Sequence, residues 1–446
     1  MTTTPTQSPV DTTTSKVQQW SYASGTSDIP LLGLTIGDLF DQTAAKYPER
    51  PALVVRQQQI RLSYRELQAE VNRCAKGFLS LGFQKGQRVG IWAPNRAEWT
   101  ITQFATSKIG IVLVNINPAY QINELEYALR QSGCSGLVLA PAFKTTNYTE
   151  ILSTLLPELT NSEAGKLQAV KLPELTTVIR LSSEQMAGMF TWDDLMSMGK
   201  DISDTELAAR QQEQEFDDSI NIQYTSGTTG FPKGATLSHH NILNNGYFVA
   251  HLQNLTEHDK ICIPVPLYHC FGMVMGNLGC ITHGAAMVYP GEGFDALSVL
   301  QTVQEERCTS LYGVPTMFIA ELGHPDFISF DLSSLRTGVM AGSPCPIEVM
   351  RKVISEMGMR DVEICYGMTE TSPVSTQTRI DSPLEKRVGT VGLIHPHLEI
   401  KIIDPANGKI VPIGTPGELC TRGYSVMQGY WNNPEATASA LDQAHW

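Results

Sequence analysis

Two short segments carry residue types suited to phosphate chemistry. The first is Tyr224-Thr225-Ser226-Gly227-Thr228-Thr229-Gly230-Phe231-Pro232-Lys233-Gly234. Its glycines let backbone N–H groups approach an anion closely. The hydroxyls of Thr225, Ser226, Thr228 and Thr229 are donors, and Lys233 brings a positive charge. Together they suit a triphosphate. The segment is not a Walker A loop, because that spacing puts Pro232 where a glycine must stand. The second segment is Tyr366-Gly367-Met368-Thr369-Glu370-Thr371-Ser372-Pro373. An aromatic ring such as Tyr366 stacks on a purine. A carboxylate beside hydroxyls, as at Glu370, suits Mg²⁺ shared with phosphate oxygens.

A third candidate is His269, in Pro266-Leu267-Tyr268-His269. It sits in Ile261–Gly291, a stretch without Asp, Glu, Lys or Arg. A lone histidine there is ordinarily a core residue, but its neighbours place it beside the presumptive pocket. The stretch imitates a membrane span, yet Pro264, Pro266, His269, Asn277 and His283 interrupt it. A buried helix between two buried strands is the better reading, with no integral membrane span. His239 and His240 open a helix and read as structural.

These residues need elements to position them. Ser63-Tyr64-Arg65-Glu66 has the form of a capping box. Leu67, Val71, Cys74, Phe78 and Leu81 then follow at helical spacing, and Gly82 ends the helix. A strand at Arg88–Trp92, a helix at Ala97–Ile109 and a strand at Ile111–Asn115 favour a parallel sheet. Strand Asn221–Thr225 is expected to run into the Gly/Thr loop and then a helix opened by Ser238. Near the end, Leu398–Ile403 and Lys409–Pro412 flank Asn407-Gly408, a tight hairpin signal. Glu418–Arg422 adds another strand. The fold class is α/β: layered α/β subdomains over 31–370 and a small antiparallel, barrel-like β subdomain over 380–446. Residues 1–30 read as a flexible tail.

Composition narrows the partners. The chain has 446 residues and a net charge of −13, which disfavours nucleic acid. Nine scattered cysteines form no C-x-x-C, which fits a reducing, cytoplasmic setting. The N-terminus lacks the patterns of a signal or transit peptide.

Tyr224–Gly234 and Tyr366–Glu370 together resemble the two core motifs of the adenylate-forming (AMP-binding) superfamily. Asn117-Pro118-Ala119-Tyr120, Pro266–His269, Val314-Pro315-Thr316, Ala341-Gly342-Ser343-Pro344 and Gly417–Gly423 also match, and their wording looks most like medium-chain fatty acyl-CoA synthetases. The resemblance implies a ligase that converts a carboxylic (fatty) acid and ATP to acyl-AMP, then passes the acyl group to coenzyme A. It implies that Thr225, Ser226, Gly227, Thr228, Thr229, Gly230 and Lys233 wrap the β- and γ-phosphates. Tyr366 and Gly367, with Gly342 and Ser343, would hold adenine; Thr369 would touch the α-phosphate and Glu370 would bind Mg²⁺. His269, Phe271, Val314 and Gly367 would meet the acyl group. In the family a Thr-Gly-Asp segment, a hinge and a small C-terminal domain with a catalytic lysine follow. They are missing here, so the chain reads as the large N-terminal domain, impaired in isolation. Two alternatives stand beside this reading: adenylation for a carrier-protein thiol, and a non-catalytic acyl-adenylate or ATP-binding module. A homodimer is left open.

Overall fold

Short apolar runs bounded by turns, such as Val112–Asn115 and Thr337–Ala341, are buried along their whole length and pair as strands. Strands covered on both faces read as continuous apolar runs rather than alternating ones. The computed structural model describes residues 19–225 and 231–446. Most of its strands fall into two large sheets.

The first sheet has eight strands in the order Phe190–Thr191, Thr177–Arg180, Gly136–Leu139, Arg88–Trp92, Val112–Asn115, Ser219–Thr225, Lys233–Ser238 and Gly429–Tyr430. It is parallel up to Ser219–Thr225 and antiparallel over the last two strands. The second has nine: Leu393–Ile394, Val374–Gln377, Asp361–Gly367, Thr337–Ala341, Ser310–Gly313, Lys260–Cys262, Ala286–Tyr289, Pro51–Val55 and Ile60–Ser63. Its centre is parallel from Asp361–Gly367 to Pro51–Val55.

Helices fill the space around the sheets. Ser63 and Glu66 form the expected capping box on helix Tyr64–Ser80, worth about 1 kcal/mol. Leu67, Val71, Cys74 and Phe78 make its buried face, and Gly82 (φ +83°) turns the chain away. Every residue of helix Ala97–Ile109 except Glu98 is buried. Even Lys108 is enclosed, its Nζ 2.6 and 2.8 Å from the Asp41 oxygens and 2.8 Å from Asn72 Oδ1. A buried ammonium is tolerable only with such a full set of acceptors.

Four expectations need adjustment. Strand Ser219–Thr225 does not lead through the loop into a helix. It returns as strand Lys233–Ser238, pairing Thr225 with Lys233, and only then does Ser238 cap helix His239–Leu252. Ala235 and Leu237 are fully buried in that return strand. The strand places the helix N-terminus roughly 16 Å along the chain from Lys233, too far for its dipole to act there. Residues 22–24, assigned to a tail, form a strand that pairs with Leu398–Ile403. With Glu418–Gly423 they make a three-stranded antiparallel sheet, the form taken by the small β subdomain. Lys409–Pro412 contributes single bridges at Ile410 and Pro412 instead of a strand. The uncharged stretch does hold buried helix between strands Lys260–Cys262 and Ala286–Tyr289, but its first part, Phe271–Leu278, is π-helix. No helix among the described residues is long and apolar enough to cross a membrane.

Candidate active site

In parallel sheets, ligands gather where the carboxyl ends of strands leave a crevice. Here both sheets contribute. Thr225 ends a strand of the first sheet; Ala341 and Gly367 end strands of the second. Between them lies a cavity of about 580 Å³. Thr225, Lys233, His269, Phe271, Gly342, Tyr366, Gly367, Thr369 and Glu370 all line it. Residues separated by more than a hundred positions thus face one space.

One side of the cavity carries opposite charges. The Lys233 ammonium lies 4.5 Å from the centroid of the Tyr430 ring, a cation–π contact. The Tyr430 hydroxyl donates to Glu370 Oε1 at 2.7 Å. Among the described residues no carboxylate pairs with Lys233, and Glu370 Oε2 has no hydrogen-bond donor. The Tyr127 hydroxyl donates to the Pro232 carbonyl at 3.0 Å, and its ring stacks on Phe231 at 4.8 Å.

A second side offers an aromatic platform. Tyr366 is 43% exposed, so its ring is open to stacking. Gly342 (φ +87°) lies beside it in a conformation that side chains avoid. A Cβ at Gly342 would sit 3.2 Å from Val314 Cγ1. Val314 therefore backs this glycine and does not line the cavity; Ser343 is exposed and is not among the lining residues either. Gly367 has a steric reason to be glycine: a Cβ there would lie 1.8 Å from the Pro373 carbonyl oxygen.

The third side is apolar, built by Phe271 and Met275 of the π-helix, with Tyr268 and Cys365. The His269 ring faces this space. The Phe271 backbone N–H donates to His269 Nδ1 at 3.2 Å, so a neutral ring carries its proton on Nε2. Solvent reaches the ring through the cavity, but protein surrounds it, and the resulting desolvation lowers its pKa. The Cys270 thiol donates to Thr369 Oγ1 at 3.6 Å, joining the histidine turn to the Thr-Glu segment. His239 is fully buried, its Nδ1 accepting from the Ile36 N–H.

Ser226, Gly227, Thr228, Thr229 and Gly230 lie outside the described residues. For Mg²⁺ the residues fit: one carboxylate oxygen of Glu370 is held by Tyr430, the other accepts no hydrogen bond among the described residues, and Glu370 lines the cavity. That matches an ion that takes one or two carboxylates and completes its shell with phosphate and water. The sequence did not single out Asn117, Tyr120, Tyr268, Met275 or Tyr430 as site residues. The first three lie in blocks that the resemblance had already marked. Met275 and Tyr430 carried no local signal.

The AMP-binding enzyme family model matches residues 40–431. YngI of Bacillus subtilis (strain 168), named as an acyl-CoA synthetase, is 48% identical over 416 residues, covering 93% of this chain and 76% of that protein. The mitochondrial medium-chain acyl-CoA ligase ACSF2 of Danio rerio is 45% identical over 428 residues, covering 96% and 70%. The N-terminal domain of FACL13 from Mycobacterium tuberculosis, solved with an inhibitor, aligns with a TM-score of 0.76 at 24% identity, covering 92% of this chain and 94% of that one. The last likeness speaks to the fold alone, while the family model and the two sequence relatives span nearly the whole chain: it belongs to the AMP-binding enzyme family.

Proposed function

We propose that this chain is the nucleotide- and acyl-binding part of an AMP-forming fatty acid–CoA ligase, acting on medium-chain acids. The observation that carries the reading is the single cavity with three chemically distinct sides: Lys233 with Glu370, the Tyr366–Gly342 platform, and the apolar Phe271–Met275 wall. An acyl-adenylate has three matching parts: a phosphate, a purine and an alkyl chain. Phosphate lies between adenosine and the alkyl chain.

In the first step the acid's carboxylate attacks the α-phosphorus of ATP and pyrophosphate leaves. The protein need supply little covalent chemistry; alignment and charge compensation dominate. Lys233 offsets charge on the departing pyrophosphate, Thr369 holds an α-phosphate oxygen, and Tyr366 fixes the purine. Mg²⁺, held through Glu370, would supply further charge neutralisation. In the second step the thiol of coenzyme A attacks the acyl carbonyl and AMP leaves. The neutral His269 stands where the acyl group and thiol would meet. The names of the relatives support coenzyme A over a carrier protein as acceptor. Their greater length, together with the 94% coverage of a solved N-terminal domain, supports reading 31–446 as the large domain. All nine cysteines are free, which supports a reducing compartment such as the cytosol; the Danio rerio relative is named as mitochondrial.

The test is fatty-acid-dependent exchange of labelled pyrophosphate into ATP, followed by addition of coenzyme A. Exchange with medium-chain acids and thioester formation with coenzyme A support the reading. Binding of acyl-adenylate without either reaction, in a form carrying the further residues that the longer relatives have, would favour a non-catalytic module.

A further inference from the structure

Lys233 and Glu370 come from segments 137 positions apart, yet both touch the same third residue. Tyr430 lies on strand Gly429–Tyr430, which pairs with the return strand through Ala235↔Tyr430. Side chains two apart on a strand share a face. Lys233, two residues before Ala235, therefore projects over the Tyr430 ring, 4.5 Å from its centroid. The ring's other end reaches Glu370, where the hydroxyl donates to Oε1 at 2.7 Å.

The backbone around Tyr430 is fixed to both segments. The Met427 N–H donates to the Glu370 carbonyl at 2.9 Å, and Ser372 Oγ donates to the Ser425 carbonyl at 2.6 Å. On the other side, the Trp431 N–H donates to the Gly234 carbonyl at 2.7 Å and the Gln428 N–H to the Thr236 carbonyl at 2.9 Å. The stretch from Ser425 to Trp431 is thus a strap across both segments, with the Tyr430 side chain in contact with both charged groups.

We propose that Tyr430 is a positioning residue that sets the Glu370 carboxylate for one-oxygen metal binding and holds Lys233 at a fixed place beside it. A hydroxyl that occupies Oε1 leaves Oε2 to face the cation and prevents the carboxylate from rotating. Partners of metal ligands typically change metal affinity or activity 10- to 100-fold when removed. The inference rests on the function proposed above, and its test separates the two.

The test compares the unaltered protein with Tyr430→Phe and Tyr430→Leu. Phe keeps the ring under Lys233 and loses only the hydroxyl; Leu loses both. Binding of Mn²⁺, as a spectroscopic stand-in for Mg²⁺, is followed by electron paramagnetic resonance in the presence of a non-hydrolysable ATP analogue. Thermal unfolding of each variant checks that the fold is kept. The expected result for Tyr430→Phe is Mn²⁺ binding weakened about tenfold, with analogue affinity at saturating metal unchanged. Tyr430→Leu should weaken both. Unchanged or tighter Mn²⁺ binding by a folded Tyr430→Phe overturns the inference alone. Failure of the unaltered protein to bind Mn²⁺ with the analogue overturns both the inference and the functional reading beneath it.

Discussion

Met275 should set how long an acyl chain the cavity accepts. It sits one turn beyond Phe271 in the π-helix, is only 2% exposed, and lines the apolar side of the cavity. Each methylene that leaves water for that wall contributes about 0.8 kcal/mol, or about fourfold in kcat/KM. Activity should therefore climb about fourfold per methylene until the chain meets the helix, then fall. Replacing Met275 by Ala removes Cγ, Sδ and Cε and makes room for about two more methylenes. The optimum should move to longer acids by that amount. Met275→Leu, close in volume, should keep the original optimum. The truncation should lower stability by about 2 kcal/mol, the low end for Met→Ala, because the side chain already borders empty space. The assay is kcat/KM for a series of saturated acids from butyrate to hexadecanoate. A flat profile in the unaltered protein, or an unmoved optimum in folded Met275→Ala, would refute the reasoning.

Two other outcomes follow from local geometry. Gly367→Ala places a Cβ 1.8 Å from the Pro373 carbonyl oxygen, where only backbone movement relieves the contact. Thermal or urea unfolding should show a loss of about 1–3 kcal/mol, and a variant as stable as the parent would contradict the geometry. His239 is buried, and that burial lowers its pKa to about 4 from an ordinary 6.5. Between those values the unfolded chain binds the extra proton and the folded chain does not, so stability rises with pH there. Acidification from about pH 6.5 to about pH 4 should therefore destabilise the protein, by at most about 1.4 kcal/mol per pH unit from this site. Urea unfolding across that range, with His239→Asn as control, should show a shallower slope in the variant.

The parts of the fold legible in the sequence are those with short-range physical causes. The Ser63 box, the helix stripe from Leu67 to Phe78 and the hairpin glycine Gly408 (φ +69°) depend on neighbours a few residues away. The site residues Lys233, Tyr366 and Glu370 stood out because each sits in a dense cluster of glycine, hydroxyl and charge. What escaped depends on long-range pairing. Lys233–Ser238 reads as loop and cap because six residues of mixed polarity carry little periodicity, and only pairing with Ser219–Thr225 makes them a strand. Tyr22–Ser24 is an exposed edge strand with no apolar face to betray it. The π-helix at Phe271–Leu278 is buried all round, so its period leaves no pattern to read. Tyr430 looked like one more aromatic near the end of the chain until the sheet set it beside Lys233.

The central claim is that segments far apart in sequence hold one ligand, with Tyr366 under its purine. It is tested most directly by calorimetric titration of a non-hydrolysable medium-chain acyl-adenylate mimic into the protein and into Tyr366→Ala. Removing an aromatic platform from under a base costs about 1–3 kcal/mol. The account predicts saturable binding to the unaltered protein, weakened roughly fivefold to 150-fold in the variant. Equal affinity in both proteins, or no binding to a folded sample of either, would contradict it.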